Sequence, residues 1–155
     1  MKNTKLVEML KTFSEEEMKD LKKFVESPYH RKRDLSDLFG ILRQFHPAFD
    51  DPKLTSEHVF SKLFPGKKFG DKRSDSLLKT LTSELFSLCK EFLIQLGLQE
   101  KENYKTYFLL NQLRKRKLLP EFIRESAAAV EFIGKDTGNN FELIEKSYLC
   151  SAFVE

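Results

Sequence analysis

Three adjacent glutamates are the side chains of this sequence best placed for acid-base or metal chemistry. Glu15, Glu16 and Glu17 follow Ser14 directly, and neighbouring carboxylates can hold a metal ion or exchange a proton with a substrate. Acidic residues are also favoured in the first turn of a helix, because they interact well with the helix dipole. We therefore assign these glutamates to a helix start and predict no catalytic site there.

Histidine and cysteine give no stronger candidate for catalysis. His30, His46 and His58 lie far apart, and none has a His or Cys partner four residues away, as a zinc site on a helix would need. We expect them in loops or at the surface. Cys89 and Cys150 lack metal or redox spacing and read as small, partly buried hydrophobic residues. The sequence predicts no enzyme, no metal, no cofactor and no small-molecule substrate.

Basic side chains are concentrated in residues 22–33, 62–79 and 101–117. The first two segments each carry a local net charge of +4, which is enough for a positive surface patch. The glycines of residues 62–73 lack the spacing of a phosphate-binding loop, and no strand precedes them. Nucleic-acid binding is therefore the alternative function, with these candidate contacts: Arg31, Lys32, Arg33, Lys67, Lys68, Lys72, Arg73, Arg114, Lys115 and Arg116.

The composition of the whole chain limits the classes of protein it can belong to. Its 155 residues suffice for one well-buried core, and its 27 basic and 24 acidic side chains leave a net charge of only +3. The 15 phenylalanines, with no tryptophan, mostly recur at helical spacings and are predicted core residues. No long apolar run or signal peptide is present, so we expect a cytoplasmic protein that does not enter a membrane.

One long helix, about residues 71–97, is the element around which the rest is predicted to assemble. Asp71 can cap its start, and Gly97 can supply the left-handed residue that commonly ends a helix. Between them, apolar residues recur at spacings of three and four and predict one continuous buried stripe. The stripe consists of Leu77, Leu78, Leu81, Leu85, Leu88, Phe92, Leu93 and Leu96.

Shorter helices precede this long helix, and their starts are marked by capping residues. Ser14 and Glu17 form a capping box, and Phe13 can pack on Met18 as a hydrophobic staple. Thr55 caps a helix from Ser56 to about Leu63. We predict an all-α fold in which residues 1–98 form a helical bundle.

Residues 99–155 are predicted to form a helical hairpin extension of possible repeat type, packed on the bundle as one domain. Phe108 and Ile123 are among its predicted inward residues. The last segment has an apolar face with no further helix to cover it, so we expect a partner there: a second copy or helices of a longer protein, with the long helix of the same chain as the alternative. That face consists of Phe141, Ile144, Tyr148, Leu149 and Phe153. The favoured function is a non-enzymatic helical scaffold or protein-interaction domain.

Two resemblances bear on this interpretation. The helix start Phe13-Ser14, the Ser27-Pro28-Tyr29 turn and the Lys62-Leu63-Phe64-Pro65-Gly66 turn before a leucine-rich helix resemble the N-terminal part of a group of long, uncharacterised bacterial all-helical proteins. The resemblance covers about 120 residues and implies a piece of a longer helical protein, with no activity to transfer. Residues 54–93 are similar in outline to a winged helix-turn-helix, although no Arg, Asn or Gln set is spaced to read bases.

Overall fold

The computed structural model describes residues 1–30 and 35–135, and within these ranges the chain forms seven α-helices, one 3₁₀ turn and no strand. The predicted all-α fold around one long helix is confirmed. The helices are α1 (Lys5–Lys11), α2 (Glu15–Glu26), α3 (Ser36–Arg43), α4 (Ser56–Leu63), α5 (Lys72–Glu100), α6 (Glu102–Lys115) and α7 (Leu119–Lys135), with the 3₁₀ turn at Pro28–His30 between α2 and α3.

The chain consists of two compact units. The first comprises Met1–Ile94, and the second begins at Gln95, so the boundary lies inside α5. In the first unit α3 packs on both α2 and α4, whereas in the second unit α6 packs on α7.

The predicted capping box at the start of α2 is confirmed. The Ser14 hydroxyl accepts a hydrogen bond from the Glu17 backbone N–H (3.2 Å), and the Glu17 carboxylate accepts one from the Ser14 N–H (2.7 Å). Phe13 and Met18, on either side of the box, are both buried, as the hydrophobic staple requires. The hydrogen bonds of the capping box and the burial of Phe13 and Met18 are therefore both consistent with a start of α2 directly after Ser14.

We expect Ser14→Ala to lower the free energy of unfolding by about 1 kcal/mol, because the Glu17 N–H would lose its acceptor. Urea unfolding followed by circular dichroism measures this change. The same substitution at Ser87, which is exposed in the interior of α5, serves as the control. Since alanine has the higher helix propensity, Ser87→Ala should leave stability unchanged or raise it slightly. Equal effects at both positions would contradict the capping role of Ser14.

Asp71 caps the start of α5, also as predicted. Its carboxylate accepts a hydrogen bond from the Ser74 N–H (2.7 Å), and the Ser74 hydroxyl accepts one from the Gly70 N–H (3.2 Å). Hydrogen bonds from Ser74, supplemented by the Arg73 guanidinium, lower the pKa of Asp71. The carboxylate is therefore held in the charged form that a helix N-terminus favours.

The end of α5 differs from the prediction. The helix continues through Gly97 to Glu100, and Gly97 does not adopt the left-handed conformation of a glycine cap. A glycine inside a helix costs about 1 kcal/mol relative to alanine, which is less than several consecutive backbone hydrogen bonds contribute. The break comes at Lys101, whose N–H donates to the Leu98 carbonyl (3.3 Å) before α6 begins.

The core of the first unit is built on the α5 stripe. Phe92 is 5% exposed and contacts two aromatic rings, Phe13 at 5.9 Å and Phe24 at 5.5 Å between centroids. Leu93, predicted to face inward, is instead 39% exposed, because adjacent helical residues point about 100° apart and Phe92 occupies the buried side. The buried side chains that α5 contributes are Ser74, Leu78, Leu81, Leu85, Leu88, Cys89 and Phe92.

The connection between α3 and α4 is anchored by His46 and Phe49. The His46 side chain is only 5% exposed, and its Nε2 donates to the Phe13 carbonyl oxygen at 2.8 Å. Its Nδ1 lies 3.1 Å from a Glu15 carboxylate oxygen, and its ring meets the buried Phe49 ring edge to face. His46 therefore lies in a loop, one of the two predicted locations, but its side chain is buried because the ring ties this connection to the start of α2.

Candidate interaction surfaces

The α6–α7 corner, residues 114–123, is shaped by the way α6 ends. Lys117 adopts the left-handed conformation (φ 58°), and its N–H donates to the Arg114 carbonyl at 3.0 Å. The Leu118 N–H donates to the Leu113 carbonyl, also at 3.0 Å, which completes a Schellman motif. α7 follows at Leu119. The turn is therefore tight and fixed by backbone hydrogen bonds.

Three apolar side chains of this corner are exposed. Leu118 is 42% exposed, Leu119 62% and Ile123 59%. Leu119 and Ile123 are one turn apart on α7 and therefore lie on the same side of that helix. The predictions of inward-facing Phe108 and Ile123 were wrong, since Phe108 is 48% exposed on α6. The spacing of the apolar residues predicted a helix with an apolar face. It could not show which of these side chains the rest of the chain covers.

Basic side chains precede these apolar residues directly. Arg114 and Lys115 form the last turn of α6, Arg116 caps it, and all three are exposed, as is Lys117. The Arg116 guanidinium donates to the Gln112 side chain and to its carbonyl oxygen. Within the described part of the chain, Lys115 and Lys117 form no ion pair. The corner thus combines exposed apolar side chains with two lysines, Lys115 and Lys117, that form no ion pair among the described residues.

A second basic group lies where α4 connects to α5 in the first unit. The predicted contacts Lys67, Lys68, Lys72 and Arg73 are all exposed there. The Lys67 ammonium lies 5.1 Å from the centroid of the Phe64 ring. Residues 64–71 form a connection longer than the three or four residues typical of a helix-turn-helix. The structure brings these four cations together around one connection.

The remaining predicted site residues fall outside residues 1–30 and 35–135. These are Arg31, Lys32 and Arg33 of the first basic segment and the apolar set of the last segment, Phe141, Ile144, Tyr148, Leu149 and Phe153.

A groove of about 300 Å³ lies in the first unit between the start of α1, the start of α4 and α5. Leu6, Leu78 and Phe86 contribute apolar surface to its lining. The Lys79 ammonium, also in the lining, is 2.6 Å from the Asp75 carboxylate, which offsets its charge. The groove is at the lower limit of the size range of small-molecule sites.

Cys89 has the environment of a packing residue. It is fully buried, and burial raises the pKa of its thiol to about 12. Since the thiolate is the reactive form, the side chain is a poor nucleophile near neutral pH. Among residues 1–30 and 35–135, no three His, Cys, Asp or Glu side chains are grouped to hold a metal ion. Every helix in these ranges is too short or too polar to cross a membrane.

Sequence reasoning missed the buried His46 and the exposed α6–α7 corner. The partners of His46 lie 31 and 33 residues away in the chain, so no local pattern marks them. The corner did carry a local signal, because four consecutive basic residues run directly into Leu118 and Leu119. The run by itself predicts a helix end and nucleic-acid contacts, and a mixed apolar and basic surface is indicated only when it is taken together with Leu118 and Leu119.

Comparisons with known proteins gave no match: no family model fits the chain, and neither a curated protein nor a solved structure is significantly similar to it. The resemblance to long bacterial helical proteins therefore stays a prediction.

Proposed function

We propose that this protein is a non-enzymatic helical scaffold whose second unit binds a protein partner. The observation that carries the proposal is the exposure of Leu118, Leu119 and Ile123 within six residues of one helical corner. Single exposed apolar side chains are ordinary, but grouped ones are typical of binding surfaces.

The arrangement around the corner also supports binding rather than catalysis. Backbone hydrogen bonds fix the turn that carries Leu118, so little backbone freedom would be lost there on binding. Candidate nucleophiles and acids in the first unit have structural roles instead. Cys89 is buried, and Glu17 closes a capping box.

Nucleic-acid binding is the second candidate function. It is favoured by the exposure of Lys67, Lys68, Lys72 and Arg73 around one connection in the first unit. Phosphate contacts with such residues depend on charge and need no apolar surface. These four cations belong to the first unit, whereas the exposed apolar side chains belong to the second, so the two functions can be tested with different variants.

Site-specific photo-crosslinking tests the proposal in the full chain. We expect a photoreactive amino acid at Leu119, introduced in the native cells, to form a discrete protein adduct. Ile123→Glu in the same chain should reduce that adduct at least tenfold, because a charge would enter the apolar contact. Crosslinked products are separated by size after treatment with nuclease or protease.

The same photoreactive residue at Ser87, an exposed polar position of the first unit, is the matched control. Equal adducts from Leu119 and Ser87 would contradict the proposed surface. An adduct that nuclease removes, and that Lys72→Glu with Arg73→Glu abolishes, would favour nucleic-acid binding instead.

A further inference from the structure

We propose that the α6–α7 corner binds an acidic amphipathic helix of a partner protein. This inference rests on the proposed function and specifies the chemistry of the partner. Three observations carry it: the exposed apolar side chains, their spacing, and the unpaired basic side chains beside them.

The apolar part of the corner suits a helical partner. Leu119 and Ile123, one turn apart on α7, form a short ridge, and Leu118 precedes it at the turn. Leucines at positions i, i+3, i+4 and i+7 of a partner helix can pack against such a ridge. Their burial would supply the favourable contact at the centre of the interface.

The basic side chains of the corner indicate which partner side chains would suit the edge of that interface. Residues 114–125 contain five basic and two acidic side chains, and one acid, Glu125, is paired with Arg124 at 3.0 Å. Lys115 and Lys117 remain unpaired within the described residues and stand beside Leu118. Carboxylates flanking the apolar face of a partner helix would complement them, whereas basic residues there would be repelled.

A nucleic acid fits this surface less well. Phosphates would engage Lys115 and Lys117 but would leave Leu119 and Ile123 in water. An acidic amphipathic helix uses both parts of the corner. It is therefore the occupant that the observed chemistry favours.

Two synthetic peptides of about 18 residues test the inference by calorimetric titration against the full chain. Both carry leucines at i, i+3, i+4 and i+7, and the other positions are mainly glutamate in one peptide and mainly lysine in the other. We expect the glutamate peptide to bind at least tenfold more tightly at low salt. This preference should shrink as salt screens the rim charges.

Variants of the chain locate the contact. Lys115→Glu with Lys117→Glu should reverse the peptide preference, and Ile123→Glu should abolish binding of both peptides. Lys72→Glu with Arg73→Glu makes the same change of charge in the first unit and should leave the preference unchanged. If it removes the preference equally, net charge rather than the corner is responsible, and the inference is overturned.

The other outcomes separate this inference from the proposed function. Equal binding of both peptides, lost in Ile123→Glu, would overturn the acidic partner while still supporting an apolar docking surface. Absence of binding by the glutamate peptide would overturn the inference, and the crosslinking at Leu119 would still test the proposed function independently. Sedimentation showing a dimer that Ile123→Glu dissociates would replace the partner with a second copy of this chain.

Discussion

Phe92→Ala is expected to lower the free energy of unfolding of the first unit by roughly 3 to 5 kcal/mol. The Phe92 ring is 5% exposed and lies at the meeting point of α5 with the rings of Phe13 and Phe24. Alanine would remove both aromatic contacts and leave a cavity that three separate elements border. Urea unfolding followed by helical circular dichroism measures the loss.

The neighbouring Leu93 is the matched control for this substitution. It is 39% exposed on the same turn of α5, so Leu93→Ala should cost less than about 1 kcal/mol. The pair tests the face that the structure assigns to α5. A larger loss at Leu93 than at Phe92 would mean that the helix is rotated from the orientation described.

Leu85→Ala is expected to destabilise the same unit by roughly 2 to 5 kcal/mol, because it removes buried aliphatic volume. Leu85 is fully buried near the middle of α5, where the surrounding side chains can collapse only partly into the space that alanine would leave. The same unfolding measurement applies.

Leu85→Met conserves most of the side-chain volume and should cost less than about 1.5 kcal/mol. It therefore separates the effect of a cavity from a general intolerance of substitution at this position. Equal losses in the alanine and methionine variants would contradict the cavity explanation.

The features of this fold that could be predicted from the sequence are those that depend on neighbouring residues. The capping box uses Ser14 and Glu17, three residues apart, and the α5 cap uses Asp71 with Ser74. Such hydrogen bonds close within one helical turn, so residue type and spacing contain nearly all the information.

The predictions for the end of α5 and for the orientation of its side chains were partly wrong, because both depend on more than the local sequence. Gly97 has the chemistry of a helix end, yet the backbone hydrogen bonds of α5 continue past it. Phe92 and Leu93 are both apolar and adjacent, so spacing alone could not decide which side chain faces the core. That choice depends on the positions of Phe13 and Phe24, which come from distant parts of the chain.

In the candidate site, too, the residue types could be predicted from the sequence, but the exposure of the apolar side chains could not. The basic residues of the corner and their exposure could be anticipated, since charged side chains at a helix C-terminus normally face solvent. The exposure of Leu119 and Ile123 could not, because the same apolar spacing occurs whether a helix packs within its own chain or against a partner. Only the packing of the folded chain distinguishes the two cases.

The division of the chain at Ile94 and Gln95 gives its two units different optical signatures. Tyr29, 91% exposed, is the only tyrosine of residues 1–94, whereas three of the four tyrosines belong to residues 95–155, and the chain has no tryptophan. Intrinsic ultraviolet emission therefore originates mainly from the second unit. Far-ultraviolet ellipticity comes from the helices of both units. Recording the two signals in one heating experiment reveals, without any label, whether the units melt together or in sequence.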